Sequence, residues 1–271
     1  MSDLFTPRGE DADADVLSPW AATRLIVERN YITYRAAWKL FVTGFLEPVL
    51  YLLSIGIGVG ALVERIDYHG LSLPYAEFVA PAMLATSAFN GALLDSTYNV
   101  FFKLRYDKLY DQMLATPLRT GDIARGEIIW GQLRGGVYAA VFLLVMLALG
   151  LIGSWWAVLA LPAVLLIGFS FSAVFMALTT WLTSWQDFDK ITLVQVPLFL
   201  FSATFFPVTA YDAWLRWTVE CTPLYRAVVL CRELTTGAVG IGSAVSVVYL
   251  LAMGVVGFAV TRRRLDGLLI T

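Results

Sequence analysis

The chain has 271 residues, of which 59% are hydrophobic and only 15% charged, with a mean hydropathy of +0.72. A soluble domain carries about 45–50% apolar and about 25% charged residues, so a water-soluble globular enzyme is excluded. The formal net charge of −2 says little, because the two signs are sorted along the chain; no nucleic-acid partner is expected.

Residues 1–17 hold Asp3, Glu10, Asp11, Asp13 and Asp15 with only Arg8 and no apolar stretch, the composition of a solvated, disordered tail rather than a signal peptide. Ser18-Pro19 starts a helix, a hydroxyl cap followed by proline at the first helical position. Over 18–39, Trp20, Val27, Tyr31, Tyr34 and Trp38 recur at helical spacing with Arg24, Arg29, Arg35 and Lys39 between them. That pattern suits an amphipathic helix lying in a lipid interface; the plainer alternative makes these residues the first turns of a long span.

An all-α polytopic membrane domain over 40–264 is expected, with six spans, since about 20 apolar residues cross a hydrocarbon core. The predicted spans are Leu40 to Leu62, Phe78 to Phe102, Ile128 to Ile152, Trp156 to Thr183, Ile191 to Phe206 and Gly242 to Thr261, with a hairpin turn at Gly153-Ser154. Arg262-Arg263-Arg264 stops the last one, leaving 265–271 as a tail. Pro207 to Gly240 has short apolar pieces but no full span, the signature of re-entrant or interfacial half-helices. With the N-terminus inside, Arg8, Arg24, Arg29, Arg35, Lys39, Lys103, Arg105, Lys108, Arg119, Arg125, Arg134, Lys190 and Arg262 to Arg264 are cytoplasmic, fifteen of nineteen bases. Both termini are therefore predicted inside.

Between the second and third spans lies a charged island, Lys103 to Arg134, and no charge follows it from Gly135 to Gln186. Tyr106, Leu109, Tyr110, Met113 and Leu114 form one apolar helical face, opposite Arg105, Asp107, Lys108, Asp111 and Gln112. Thr116-Pro117 ends that helix and a second begins near Asp122. Such an element either receives a push from a partner or docks on its own protein as an ordinary loop.

No G-x-x-x-x-G-K-[ST] loop is present, so the chain does not hydrolyse ATP by that route and any ATP and Mg belong to a partner. Gly56 and Gly60 within an apolar span suit helix packing rather than a dinucleotide turn. Glu47 and Asp95 are charges inside spans, either structurally paired or part of a pathway, with Asn90 and Asn99 on the same span as Asp95. Cys221 and Cys231 fall outside, where they either pair as a disulfide or stay as buried thiols. With one histidine, His69, and no clustered ligands, no metal site is expected.

E-P-V-L-Y-L-L-S-I-G-I-G-V-G (Glu47 to Gly60), Y-D-Q-M-L-A-T-P-L (Tyr110 to Leu118), G-D-I-A-R-G-E-I-I-W (Gly121 to Trp130), F-S-A-T-F-F-P-V (Phe201 to Val208) and P-L-Y-R-A-V-V-L-C-R-E-L (Pro223 to Leu234) occur in order. From about Trp20 onward, the sequence resembles type-2 ATP-binding-cassette exporter permeases, specifically the branch exporting lipo-oligosaccharides (nodulation factors), which merges into multidrug and antibiotic exporters. The resemblance implies six spans, an interfacial N-terminal helix, a coupling helix and re-entrant helices before the last span. It implies a bacterial cytoplasmic-membrane complex of two permeases, as a homodimer, with two ATPase subunits. Tyr106, Asp107, Leu109, Tyr110, Met113, Leu114, Thr116, Pro117 and Leu118 would be the segment coupled to the ATPase. Spans one, two and five would line the path, with Phe199, Phe201, Phe205 and Phe206 facing an amphiphile or plugging the exit; the alternative is packed or lipid-facing aromatics. Such relatives often have Gly where Ala203 stands and His where Arg226 stands, so the substrate does not carry over.

The function this points to is the membrane subunit of an exporter of amphiphiles, among membrane lipids. Two rivals stay open: an intramembrane transferase, for which His69 near Glu64 and Asp67 is thin support, and an ATP-independent scaffold.

Overall fold

The computed structural model describes residues 18–35, 38–63 and 65–269. The expected tail at 1–17 and Glu64 lie outside the described residues. The chain is almost wholly helical, with one small hairpin of strands.

Helix α1 (Pro19–Arg35) begins as its cap predicts, Ala21 N–H donating to Ser18 Oγ at 3.3 Å. It is two-faced: Ala22, Thr23, Ile26 and Asn30 are buried, while Trp20, Tyr31 and Ile32 are exposed. Helix α2 (Trp38–Gly58) follows, with Pro48 inside it. Strands β1 (Arg65–Tyr68) and β2 (Leu71–Pro74) then pair antiparallel, with Tyr68 opposite Leu71. Hydropathy did not anticipate this hairpin. Its two-residue turn, His69-Gly70, has φ of 49° and 79°, the left-handed pair that matches strand twist.

Helix α3 (Tyr75–Leu94) continues without a break through two π-helical turns, Asp95–Asn99 and Phe102–Tyr106, to make a helix of 32 residues. Lys108, with φ 45°, breaks the chain away into the short helix α4 (Leu109–Leu114). Helix α5 (Thr120–Ala148) starts two residues before Asp122, whose carboxylate accepts from Arg119 N–H at 2.9 Å. A 3₁₀ turn at Trp155–Leu159 leads into α6 (Ala160–Thr179), and α7 (Phe188–Leu200), α8 (Ala213–Glu220), α9 (Pro223–Thr236) and α10 (Ile241–Leu269) complete the fold.

Among the described residues four helices are long and apolar enough to cross a membrane: Tyr75–Tyr106, Thr120–Ala148, Trp155–Thr179 and Ile241–Leu269. The chain is a multi-pass helical membrane protein. Of the other two expected spans, α2 has 21 residues, about 30 Å of helix, whereas α7 is shorter. Helix α7 has 13 residues, about 20 Å against a hydrocarbon core of about 30 Å. It stops at Leu200 because the chain turns sharply there, with Ala203 at φ 54°. The last helix extends beyond its predicted span. It runs past Arg262-Arg263-Arg264 to Leu269, with Leu265 fully buried and Asp266 accepting a hydrogen bond from Thr120 at the start of α5.

The core lies where α3, α6, α9 and α10 meet. Phe89 packs edge-on to Phe171 at 4.8 Å and against Phe175 at 5.6 Å. In lipid there is little hydrophobic drive between helices, so close packing and interhelical hydrogen bonds hold them, each bond contributing about 0.6 kcal/mol. Ser170 Oγ donates to Leu250 O at 2.7 Å and Thr261 Oγ1 to Ala173 O at 3.0 Å, tying α6 to α10. Leu144 and Leu147 of α5, Leu193 and Val194 of α7, and Val248, Val255 and Val256 of α10 face outward, which suits lipid or another subunit.

Candidate functional site: a polar-to-apolar cavity and a surface helix between two spans

The apolar face of α4 turns inward. Tyr110 and Met113 are buried with Ile26, Leu104, Ile123 and Leu265, and Leu109, Leu114 and Leu118 pack against that cluster. Burial, and secondly the Glu127 carboxylate, push the Tyr110 phenol well above its ordinary pKa, so it stays neutral. Tyr106, expected on the same face, instead ends α3 and lies against the rings of Phe101 and Phe102 at 5.8 and 5.3 Å. The left-handed turn at Lys108 separates the two. Asp107, Lys108, Asp111, Gln112, Thr116 and Pro117 are exposed. The segment thus presents its polar side to water, and Met113 and Tyr110 anchor it to its own protein.

Behind α4, Lys103 Nζ meets Glu127 Oε2 at 2.7 Å, and Asn30 Nδ2 of α1 donates to the same oxygen at 3.4 Å. Two turns further into the hairpin, Asp95 pairs with Arg134. Asp95 therefore has an ion-pair partner. The side chain of Glu47 is not among those described.

Asp95 and Arg134 also line a cavity of about 530 Å³ between α2, α3, α5 and α7. Its polar wall holds Asn90, Asp95, Arg134, Tyr138 and Gln195, with Gln195 Nε2 donating to Asn90 Oδ1 at 3.3 Å. Its apolar wall holds Tyr51, Met83, Val196, Phe199 and Phe205. Of the predicted pathway residues, Asn90, Asp95, Phe199 and Phe205 come together here. Phe201 and Phe206 do not: they pack on Tyr211, at 6.2 and 5.3 Å, because the turn after Leu200 carries them out of the helix. Sequence reasoning missed Tyr51, Arg134, Tyr138 and Gln195. Gln195, the only amide in α7, was a legible signal.

The turn after α7 is held by Arg232 of α9, 1% exposed. Its guanidinium donates to Ala203 O and Phe78 O, each at 3.0 Å, and to Thr204 O at 3.4 Å, and stacks 3.7 Å from the Phe78 ring centroid. His69 sits in the hairpin turn with its ring edge-on to Tyr68 at 4.5 Å. Cys221 and Cys231 do not pair. Cys221 is exposed at the end of α8, whereas Cys231 is on the buried face of α9.

A family model for the ABC-2 type transporter matches residues 21–235. The chain belongs to the ABC-2 type transporter family. Among curated proteins, it is 33% identical over 212 residues to Nodulation protein J of Rhizobium leguminosarum bv. trifolii, covering 77% of this chain and 79% of that protein. It is 31% identical over 244 residues to Nodulation protein J of Rhizobium leguminosarum bv. viciae, covering 88% and 92%. Nodulation protein J of Sinorhizobium fredii (strain NBRC 101917 / NGR234) is 30% identical over 233 residues, covering 85% and 87%. The chain is a membrane permease of the ABC transporter type, and its spans, cavity and surface helix are to be read in that light.

Proposed function

We propose that this chain is the permease subunit of an exporter that moves an amphiphile, such as a lipid-linked saccharide, glycolipid or hydrophobic drug, across the bacterial cytoplasmic membrane. A separate ATPase holds ATP and Mg and seats on the exposed side of α4. The observation that carries the reading is the graded cavity. Along α3 its lining passes from Met83 through Asn90 to Asp95, and along α7 from Phe199 to Gln195. With the termini in the cytoplasm, the polar end faces the inner leaflet and the apolar end the bilayer centre. A molecule in that leaflet has its headgroup and tail disposed the same way. Two copies of the chain would face each other across α2 and α7, and two ATPases would drive them between inward and outward states. Any preference for a substrate must come from unequal affinity for those two states.

Affinity purification of the chain co-expressed with its ATPase tests this, comparing wild type with Asp111→Arg plus Gln112→Arg. Both positions are exposed, so the fold should be unaffected. Co-purification of the ATPase, lost or at least tenfold weaker in the double variant, supports the reading. A wild-type chain that retains no ATPase, or a double variant that binds and stimulates it normally, refutes it.

A further inference from the structure

The two buried ion pairs behind α4 share an arrangement. In each, α3 supplies one charge and α5 the other, but the polarity is crossed: Asp95 meets Arg134, and Lys103 meets Glu127. Both pairs are centred on Leu114-Ala115, the tip of the α3–α4–α5 hairpin. Both are shielded, with side-chain exposures of 17% and 16% for the first and 10% and 4% for the second.

The π-helical turns explain how α3 presents both charges on one side. Glu127 and Arg134 are seven apart on α5, about two full turns at 100° per residue, and so share a face. Asp95 and Lys103 are eight apart, which in a regular α-helix would leave them roughly 80° out of line. Asp95 lies in the first π-helical turn and Lys103 in the second. A π-helical turn takes in an extra residue, so eight positions close nearly two turns and both charges point at α5. Helix α1 lies along the same seam. Asn30 bonds both Glu127 and Lys103, and one turn later the Tyr34 ring lies 5.3 Å beneath the Arg134 guanidinium.

From this geometry we infer that Asp95, Lys103, Glu127 and Arg134 are positioning residues. They clasp α3 and α5 into one rigid lever, so that displacement of α4 is delivered undiminished to the cavity wall at Asp95 and Arg134. Sliding one helix against the other would bring Asp95 towards Glu127, or Lys103 towards Arg134, like charge against like. The crossed polarity therefore opposes slippage as well as favouring the observed register. The lever rests on α4 being where the ATPase seats; the clasp does not.

The test uses the full chain with its co-expressed ATPase in nanodiscs. Spin labels are placed at Gln112→Cys on α4 and Val137→Cys on α5, both exposed, in a background of Cys221→Ser and Cys231→Ala. Wild type should give one narrow inter-label distance that trapping with ADP and vanadate leaves unchanged. Lys103→Glu or Glu127→Lys alone should at least double the width of the distribution and lower ATP hydrolysis about tenfold. The swap Lys103→Glu/Glu127→Lys should restore the narrow distance and at least half the rate. For Asp95→Arg, Arg134→Asp and their swap, at residues that also line the cavity, the inter-label distance alone is the readout, and it should broaden in the singles and narrow again in the swap. A wild-type distance that shifts on trapping overturns the lever. Single reversals that leave the distance narrow, or swaps that stay as broad as the singles, overturn the clasp. If no ATPase associates, the exporter reading falls and the lever with it. The distances in the chain alone then decide the clasp by the same broadening and restoration.

Discussion

Replacing Arg232 with methionine is the sharpest test of how the outer end of the cavity is built. Methionine keeps much of the apolar stem but removes the donors to Phe78 O, Ala203 O and Thr204 O. Phe78 O lies in the first turn of α3 and keeps its helical bond, so the loss falls on Ala203 O and Thr204 O, in a segment without regular structure. A buried polar group left without its partner costs about 1–3 kcal/mol, giving roughly 2–6 kcal/mol for the two. Lost stacking on Phe78 adds about 1 kcal/mol, while release from burying a guanidinium returns part of it. A net loss of about 3 kcal/mol follows. At about 2–4 °C per kcal/mol for a chain of this size, that lowers the melting temperature by roughly 6–12 °C. Tryptophan fluorescence during heating in detergent micelles measures it, with Arg232→Lys falling between the two because one ammonium cannot span three carbonyls. An Arg232→Met protein melting within about 2 °C of wild type would refute the argument, since the guanidinium would then not be what holds the turn after α7.

Three further outcomes follow from single contacts. Ala203→Gly should stabilise the protein by up to about 1 kcal/mol, because Ala203 sits at φ 54°, where a Cβ costs about 1–2 kcal/mol, and the freer unfolded chain takes back about 0.4–1; equilibrium unfolding reads the sign. Gly126→Val should push α1 off α5, since a Cβ there would lie 2.6 Å from Ile26, costing about 1–3 kcal/mol and exposing α1 to protease, with Ile26→Ala in the same chain restoring protection. The Lys190 ammonium, 2.7 Å away, followed by the Thr183 and Ser184 N–H groups, holds the Asp187 carboxyl well below its ordinary pKa. Its contribution to the turn before α7 is therefore full above the unfolded value of about 4 and is lost as pH falls through the lower folded one. Protection of the Thr183 and Ser184 amides, measured relative to their intrinsic exchange rates at each pH, should fall at low pH in wild type, and Asp187→Ala, which has no acceptor, should be unprotected at both pH values.

Much of this architecture is legible in the sequence because membrane helices announce themselves by composition. The hairpin of α5 and α6, the cap at Ser18 and the short helix before Thr116-Pro117 all follow from periodicity and capping chemistry. What periodicity could not supply was which way α4 faces. An apolar stripe of Tyr110 and Met113 reads the same whether it covers a partner or its own core, and only the docked position of α1 and α10 decides it. The length of α7 was illegible for a related reason. Phe201 to Phe206 is as apolar as a span, but the Arg232 donors that hold it out of a helix come from 29 residues further along the chain. The ion pairs, by contrast, were within reach. Once 95–134 is taken as an antiparallel hairpin with its tip at Leu114-Ala115, residues equidistant from the tip must face one another, and Asp95 then falls opposite Arg134 and Lys103, within one residue, opposite Glu127. The off-by-one spacing on α3 obscures this match, and that extra residue is what the π-helical turns absorb.

The stiff and soft parts of the molecule meet at the cavity. On one side, α3 and α5 are tied by buried charges and backed by α1. On the other, α7 is short, carries Pro197, and faces the cavity through Gln195, Val196 and Phe199, with a cross-cavity hydrogen bond from Gln195 to Asn90. A neutral side-chain bond of this kind contributes about 1 kcal/mol, less than a factor of ten in population. Opening the cavity by moving α7 therefore opposes far less than parting α3 from α5, whose shielded charges would be left unpaired. If the molecule changes shape, the yielding element is α7, and Arg232 at its far end sets the pivot.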